Sequence, residues 1–299
     1  MTEATPLDPE VVKRIATLTL QARRAVEGAL AGVHRSPHRG ASVVFVEHRE
    51  YRPGDDLRLL DWRAYARNDR HSIKHFEQEA QLRATLVLDR SGSMHYGEGR
   101  TQKLAHAATL LAALAYVLVR QGDAAGMAAI DTDVRDTLPT RSRLAHLDAI
   151  VAALAKPGEA GTGTDLARAL DAVAERAGRR GLVVLASDLL DLADGSLAPL
   201  SHLVTRGHDV IVLQVLHPDE LTLPFAGPTR FLGLEGEGPV EADADDVRSA
   251  YVREVGDFVD ACRARCTSVG ARHVVSRTDE PPERTLAALL RASRRRGWG

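Results

Sequence analysis

The sequence predicts an α/β fold: a doubly wound, mainly parallel sheet with helices on both faces. Three observations carry this. From residue 82 onward, short apolar runs rich in Val, Ile and Leu alternate with longer stretches of helical spacing, the pattern of βαβ units. Two of those runs, Thr85 to Leu88 and Leu182 to Ala186, read as buried strands and lead into the carboxylates Asp89 and Asp188. The chain of 299 residues, 44% hydrophobic and 27% charged, is long enough to bury one large core with a smaller unit attached.

Taken in order, Asp8 or Pro9 starts a helix that runs to about Leu30, with Val12, Ile15, Leu18 and Ala22 at near-helical spacing. A loop rich in Ser, Pro, His, Arg and Gly follows. Val43 to Val46 reads as a short strand, Pro53-Gly54 as a tight turn, and Ile73 to Phe76 as a second strand that pairs with the first. Such a unit is too small to be stable alone. Residues 1–80 are therefore expected to form an extension packed on a main domain of residues 81–299.

In the main domain a strand ends at Asp89, a helix runs from about Thr101 to Val119, a strand covers Ala125 to Ile130, and a short edge strand lies near Val134. Helices fill Arg143 to Ala155 and Asp165 to Ala177. Strands at Leu182 to Ser187, Val210 to Leu216 and His273 to Val275 alternate with helices near Leu197 to Thr205, Val247 to Cys266 and Glu283 to Ala292. The Gly- and Pro-rich segment from His217 to Val240 reads as a surface loop or hairpin insertion. The most apolar long segment, Leu104 to Val119, contains His106 and stops at Arg120. It falls short of the roughly 20 residues that a bilayer-spanning helix needs and is expected to be a buried core helix.

A formal charge of −2 gives no large single-sign field, so the whole-chain balance does not argue for nucleic acid or membrane surfaces as partners, and local patches stay open. The two cysteines, Cys262 and Cys266, stand i, i+4 on a helix and are expected to be reduced packing residues. Met1 to Pro9 is acidic and polar, without the basic-then-apolar order of a secretory signal, so a cytoplasmic location is expected. Neither a G-x-x-x-x-G-K-[ST] loop nor a strand-coupled G-x-G-x-x-G is present, so the usual nucleotide cradles are missing. Five of the twelve histidines lie between residues 34 and 75. His34, His38, Arg39, His71 and His75 would make an RNA- or phosphate-binding surface on one reading. The carboxylates Glu47, Glu50, Asp55, Asp56 and Asp61 nearly cancel that charge and favour a solvated skin. The run Arg294-Arg295-Arg296 reads as a solvated tail.

The candidate site begins at Asp89-Arg90-Ser91-Gly92-Ser93, a carboxylate and two hydroxyls at alternate positions where a strand opens into a loop. Asp and Ser also satisfy free backbone amides at such places, so a simple turn or cap competes with a binding role. Two later segments repeat the placement: the glycine-broken loop Gly161-Thr162-Gly163-Thr164-Asp165, which opens a helix, and Asp188 at the end of its strand. In a doubly wound sheet the strand C-termini share one edge, and ligands bind where the strand order reverses. Asp89, Ser91, Ser93, Thr164 and Asp188 would then converge. Five hard oxygen donors, two of them carboxylates, suit Mg²⁺ or Mn²⁺ and offer nothing soft for zinc or copper. Arg90 would place positive charge near such an ion unless its guanidinium turns toward solvent or a carboxylate.

These residues resemble the metal-ion-dependent adhesion site of von Willebrand factor A (vWA) domains. The stretch Tyr51-Arg52-Pro53-Gly54-Asp55-Asp56-Leu57-Arg58-Leu59-Leu60-Asp61-Trp62-Arg63-Ala64-Tyr65-Ala66-Arg67 is similar to the signature of the domain of unknown function 58 family, whose members carry it just before an A-type domain. The resemblance implies that the order of the sheet reverses between the Asp89 and Asp188 strands. It also implies that Ser91, Ser93 and Thr164 ligate one divalent ion, that Asp89 and Asp188 act directly or through water, and that a partner carboxylate supplies the last ligand. It further implies a non-enzymatic adaptor or co-chaperone that works with a MoxR-type AAA+ ATPase on a client protein. Tyr65 departs from the signature, where a small hydroxyl residue is expected. Trp62 most simply packs the extension onto the sheet, and Asp55, Asp56, Arg58 and Arg67 form an ion-pair network; alternatively Asp55, Asp56, Arg58, Asp61, Trp62, Arg63 and Arg67 are the partner epitope.

Two enzyme readings compete. Asp89 would serve a Mg²⁺-dependent phosphohydrolase as phosphoryl-accepting nucleophile, but dehalogenase-type phosphatases need a second Asp where Ser91 stands. Neither Ser91 nor Ser93 lies in G-x-S-x-G, so a serine hydrolase has less support.

Overall fold

Strands covered on both faces read as near-continuous apolar runs, and four strands of this chain are apolar over most of their length. In a computed structural model, residues 22, 26, 44–50, 72–77, 82–158, 165–178, 180–192 and 198–293 are described. Strands β1 (Val44–Glu50) and β2 (Ser72–Glu77) pair antiparallel, as the sequence predicts, and both extend beyond the predicted bounds. The remaining elements begin with β3 (Arg83–Asp89), α1 (Lys103–Arg120), β4 (Ala124–Ile130), β5 (Val134–Arg141), α2 (Leu144–Leu154) and α3 (Leu166–Arg176). They continue with β6 (Leu182–Ser187), α4 (Ala198–Thr205), β7 (Asp209–Leu216) and the short α5 (Pro218–Thr222). The hairpin β8 (Pro228–Phe231) and β9 (Val240–Asp243), α6 (Ala244–Ser268), β10 (Arg272–Arg277) and α7 (Pro282–Ser293) complete the chain.

The six-stranded sheet has the order β10-β7-β6-β3-β4-β5. All neighbours are parallel except β5, which runs antiparallel to β4 at the edge. The chain starts in the middle at β3, winds outward through β4 and β5, then returns to β6 and winds the other way. This is the doubly wound plan, with the reversal between β3 and β6 as the A-domain resemblance implies. Every residue of β4, β6 and β7 is buried. Edge strand β5 instead alternates half-buried and exposed positions, and this lone polar-out face accommodates Pro139. The predicted short strand near Val134 is in fact eight residues long, because the alternation in Val-Arg-Asp-Thr-Leu-Pro-Thr-Arg suits a half-covered edge.

Alternate side chains of each strand enter opposite cores. Leu182, Val184 and Ala186 of β6 face one cluster with Leu86, Leu88 and the helix α1, while Val183 and Leu185 face another with Leu170, Val173 and Cys266. On the first face α1 packs against α2 and α7; on the second α3 packs against α4. Ala22 and Val26, both helical and buried, belong to the first core. α1 has the length and mean hydropathy, 1.4 over 18 residues, of a membrane span, yet 83% of that stretch is buried inside the fold. Its apolar character is that of a core helix, as predicted. Cys262 and Cys266 are buried free thiols on α6.

His106 lies in this core, where its Nε2 meets Ser276 Oγ at 2.9 Å, and Ser276 meets Thr285 Oγ1 at 3.1 Å, tying α1 to β10 and α7. Burial pushes the imidazole down to about 4, with Asp279 pulling weakly the other way. The fold therefore holds His106 neutral, and its contribution is complete above the unfolded value near 6.5 and lost as pH falls toward 4. Each pH unit in that window removes about 1.4 kcal/mol. Burial lowers His273 in the same direction, to about 4. Denaturant titrations at pH 7 and pH 5 are expected to show that His106→Gln reduces the acid-induced loss by about 2 kcal/mol; an unchanged pH dependence would contradict the assignment.

Candidate metal and partner site at the sheet switch point

Because β3 and β6 are neighbours with Leu88 opposite Ala186, the residues that follow them meet at the C-terminal edge of the sheet. Asp89 closes β3. Its Oδ1 accepts the Ser91 N–H at 2.9 Å, turning the chain sharply, and its Oδ2 accepts the Ser187 hydroxyl at 2.6 Å. The turn throws Ser91 and Ser93 to the same side, with their Oγ atoms 3.1 Å apart, and continues into a single 3-10 turn over Ser93–His95. The Asx turn foreseen as the plain alternative is thus present, but this 3-10 turn has no side-chain N-cap.

Asp188 follows β6. Its Oδ1 accepts the Leu190 N–H at 3.2 Å, and its backbone carbonyl accepts Gln214 Nε2 at 3.1 Å. Asp89, Ser91, Ser93 and Asp188 are all nearly buried and gather at one spot. Thr164, with its loop from Gly161, lies outside the described residues. The helix it was expected to open is present as α3, capped by Asp165, whose Oδ1 accepts the Arg168 N–H at 2.9 Å. The signature candidates Asp55, Asp56, Arg58, Asp61, Trp62, Arg63 and Arg67, with Tyr65, also lie outside the described residues, as do His34, His38, Arg39, His71 and Arg294 to Arg296.

The electrostatics of this spot are unusual. Burial and, after it, the Asp188 carboxylate raise Asp89 to about 7, despite the hydrogen bonds from Ser187 and Ser91 that favour its ionised form. Arg90 does not relieve this charge. Its Nη1 pairs with Asp136 Oδ2 at 3.0 Å and its Nη2 donates to the Ala153 carbonyl at 2.5 Å, so the guanidinium leaves the site for the edge strand. The expected escape toward a carboxylate is the one observed.

Three participants escaped the sequence reading. Lys103, with 0% of its side chain exposed, places Nζ 2.8 Å from Asp188 Oδ2 and 2.5 Å from Glu220 Oε1. Burial acts to lower this ammonium, but Asp188 and Glu220 outweigh it and hold it above the usual lysine range. A signal existed: Lys103 is the sole charged residue before Arg120 in an apolar helix, and it stands at the N-terminus, where the helix dipole disfavours a cation. Ser187 was visible only as the residue before Asp188. Glu235 arrives from the hairpin: the Ser93 N–H donates to its Oε1 at 3.0 Å across 142 residues of sequence, a separation that no local pattern reveals.

The donor set fits a hard divalent ion. Among the described residues no three His, Cys, Asp or Glu side chains form a metal-holding group, and the donors gathered here besides the carboxylates are hydroxyls. Ser91 and Ser93 stand side by side for direct ligation, next to the buried Asp89 carboxylate. With both Asp188 oxygens already bonded to Lys103 and Leu190, Asp188 suits a role through water better than a direct one. Lys103 is the fixed counter-charge of the site. Lys103→Met, which keeps the apolar stem, strands two carboxylates and is expected to destabilise the fold by about 3–5 kcal/mol; chemical denaturation showing less than about 1 kcal/mol would mean the pair is not a structural element.

Comparison with known proteins places the chain in a family. Uncharacterized proteins of Mycobacterium tuberculosis and Mycobacterium bovis are each 29% identical over 308 residues, spanning 97% of this chain and 92% of theirs. Solved structures similar to this chain include an aerotolerance-related membrane protein from Bacteroides fragilis, at 18% identity and TM-score 0.48, covering 71% of this chain and 98% of that one. The conserved hypothetical protein BatB from Bacteroides thetaiotaomicron follows at 16% and 0.44, with 71% and 98% covered, and the SpRpn10 VWA domain at 12% and 0.38, with 69% and 94% covered. The model of the family described as "Protein of unknown function DUF58" matches residues 47–258, and the chain belongs to that family.

Proposed function

We propose that the protein is a non-enzymatic, metal-dependent protein-protein interaction module. Ser91, Ser93 and Thr164 hold one Mg²⁺ or Mn²⁺, Asp89 and Asp188 support it, and an acidic side chain of a partner completes the shell. The observation that carries this reading is the pair of hydroxyls 3.1 Å apart beside Asp89, a carboxylate that burial and, after it, Asp188 raise to about 7. A bound divalent ion adds positive charge beside Asp89 to that of Lys103, and hydroxyl ligands leave enough of the ion's charge uncompensated to attract an incoming carboxylate. As partner we propose a MoxR-type AAA+ ATPase acting with this protein on a client, which the family resemblance implies, in the cytoplasm.

The phosphohydrolase alternative asks Asp89 to present an oxygen to substrate. Both of its oxygens accept hydrogen bonds from within the fold, and the residue is 1% exposed, which supports a supporting rather than a nucleophilic role.

Calorimetric titration with Mg²⁺ and Mn²⁺ tests the ion site. The wild type is expected to bind one ion, and Asp89→Ala and the double change Ser91→Ala with Ser93→Ala are expected to weaken it by at least about 10-fold, with circular dichroism unchanged. Capture of the AAA+ partner from the native cell is expected with Mg²⁺ and not with chelator, and replacing one acidic residue of that partner should reproduce the loss. Equal ion affinity in wild type and Asp89→Ala would sink the site assignment, while partner affinity that survives loss of the ion would move the interface elsewhere.

A further inference from the structure

The Gly- and Pro-rich insertion after β7 does more than fill surface. Its β8–β9 hairpin carries the segment Leu232 to Gly238 onto the Ser91–Ser93 loop. The approach is backbone to backbone. A Cβ at Gly92 would sit 2.2 Å from the Leu234 carbonyl oxygen and 2.9 Å from Glu235 Cγ. Gly92 itself has φ −55° and ψ −43°, a helical conformation open to any residue, so the overlying segment is what leaves no room for a side chain there. The segment is braced from within, since the Glu235 N–H donates to Glu237 Oε2 at 2.9 Å and Gly233 lies against the Glu237 side chain. That bracing aims the Glu235 carboxylate at the loop, where its Oε1 accepts the Ser93 N–H. Around this tip Leu232 and Leu234 are exposed, at 69% and 40%, and Val240 at 61%.

We propose that Glu235 is the protein's own occupant of the position a partner carboxylate takes, so that the 232–238 segment is a competitive latch over the Ser91–Ser93 loop. This rests on the metal-dependent reading above. A carboxylate already held at the Ser93 N–H by its own chain competes at high effective concentration with one that arrives from solution. A partner must therefore lift the segment to bind. The exposed aliphatic residues at its tip are placed to repay that opening by contact with the same partner.

The test uses the full chain, Mn²⁺ alone as the ion and acetate as the carboxylate probe, read by water-proton relaxation per bound Mn²⁺. In the wild type acetate is expected to leave the relaxation unchanged, because the position is filled. In Glu235→Gln and in Glu235→Asp, whose shorter side chain keeps the charge but lacks the reach, relaxation should rise by the contribution of one additional water. Acetate should reverse that rise, and Mn²⁺ affinity should fall about 10-fold. A role through overall charge alone would leave Glu235→Asp like the wild type and overturns the proposal. So does an identical acetate response in all three proteins with Mn²⁺ bound, which leaves the metal reading standing. Absence of Mn²⁺ binding in the wild type removes the metal reading and the latch together.

Discussion

The structure turns on a buried excess of negative charge at the one place where the sheet reverses its winding. Two adjacent parallel strands end in carboxylates, Asp89 and Asp188, that burial and topology force into proximity. Like charges in such a place raise the free energy of the ionised pair, and the fold answers with groups drawn from distant segments. Ser187 and the Ser91 N–H donate to Asp89, and Lys103 donates to Asp188. Burial and, after it, Asp188 still hold Asp89 well above the ordinary carboxylate range. The proposed ion site rests on this carboxylate pair together with the two hydroxyls beside it.

α1 serves the core and the site at once. Fifteen of its 18 residues are buried, so its position is fixed by packing against the sheet, α2 and α7, and Lys103 at its first turn is delivered to Asp188 with little freedom. The ammonium is costly there, at the positive end of the helix dipole and out of water. It persists because removing it would leave Asp188 and Glu220 without a partner of opposite charge. Arg90, one residue from Asp89, goes the other way and joins Asp136 and the Ala153 carbonyl. The two cations thus have separate duties: Lys103 pairs with Asp188 and Glu220, and Arg90 ties the site loop to the edge of the sheet.

What the sequence discloses follows from the range of the interactions concerned. Central strands are continuous apolar runs, so β3, β4, β6 and β7 were located to within a residue or two, and their alternation with helices gave the doubly wound plan. The convergence of Asp89, Ser91, Ser93 and Asp188 was legible because topology, not side-chain detail, brings strand ends together. Edge strand β5 was underestimated because its alternating polar residues carry little apolar signal. Lys103 and Glu235 were missed for a different reason: each acts through a contact across 85 or 142 residues, and nothing in their local sequence names the partner. Thr164 and the Tyr51–Arg67 signature fall outside the described residues, so the fifth donor and the proposed epitope rest on the sequence pattern.

The place of the insertion follows from the same topology. In a parallel sheet every segment that leaves a strand C-terminus begins on the edge where ligands bind, so the long connection after β7 starts beside the switch point. A connection that merely crossed to β10 would need only the helix α6. Here it first forms α5, whose Glu220 reaches Lys103, and then a hairpin whose Glu235 reaches Ser93. Both acidic side chains thus enter from one insertion, and both add negative charge to a spot that already holds an excess. Glu220 is answered by Lys103. Glu235 accepts the Ser93 N–H beside the two hydroxyls, so one insertion brings a carboxylate to each side of the switch point.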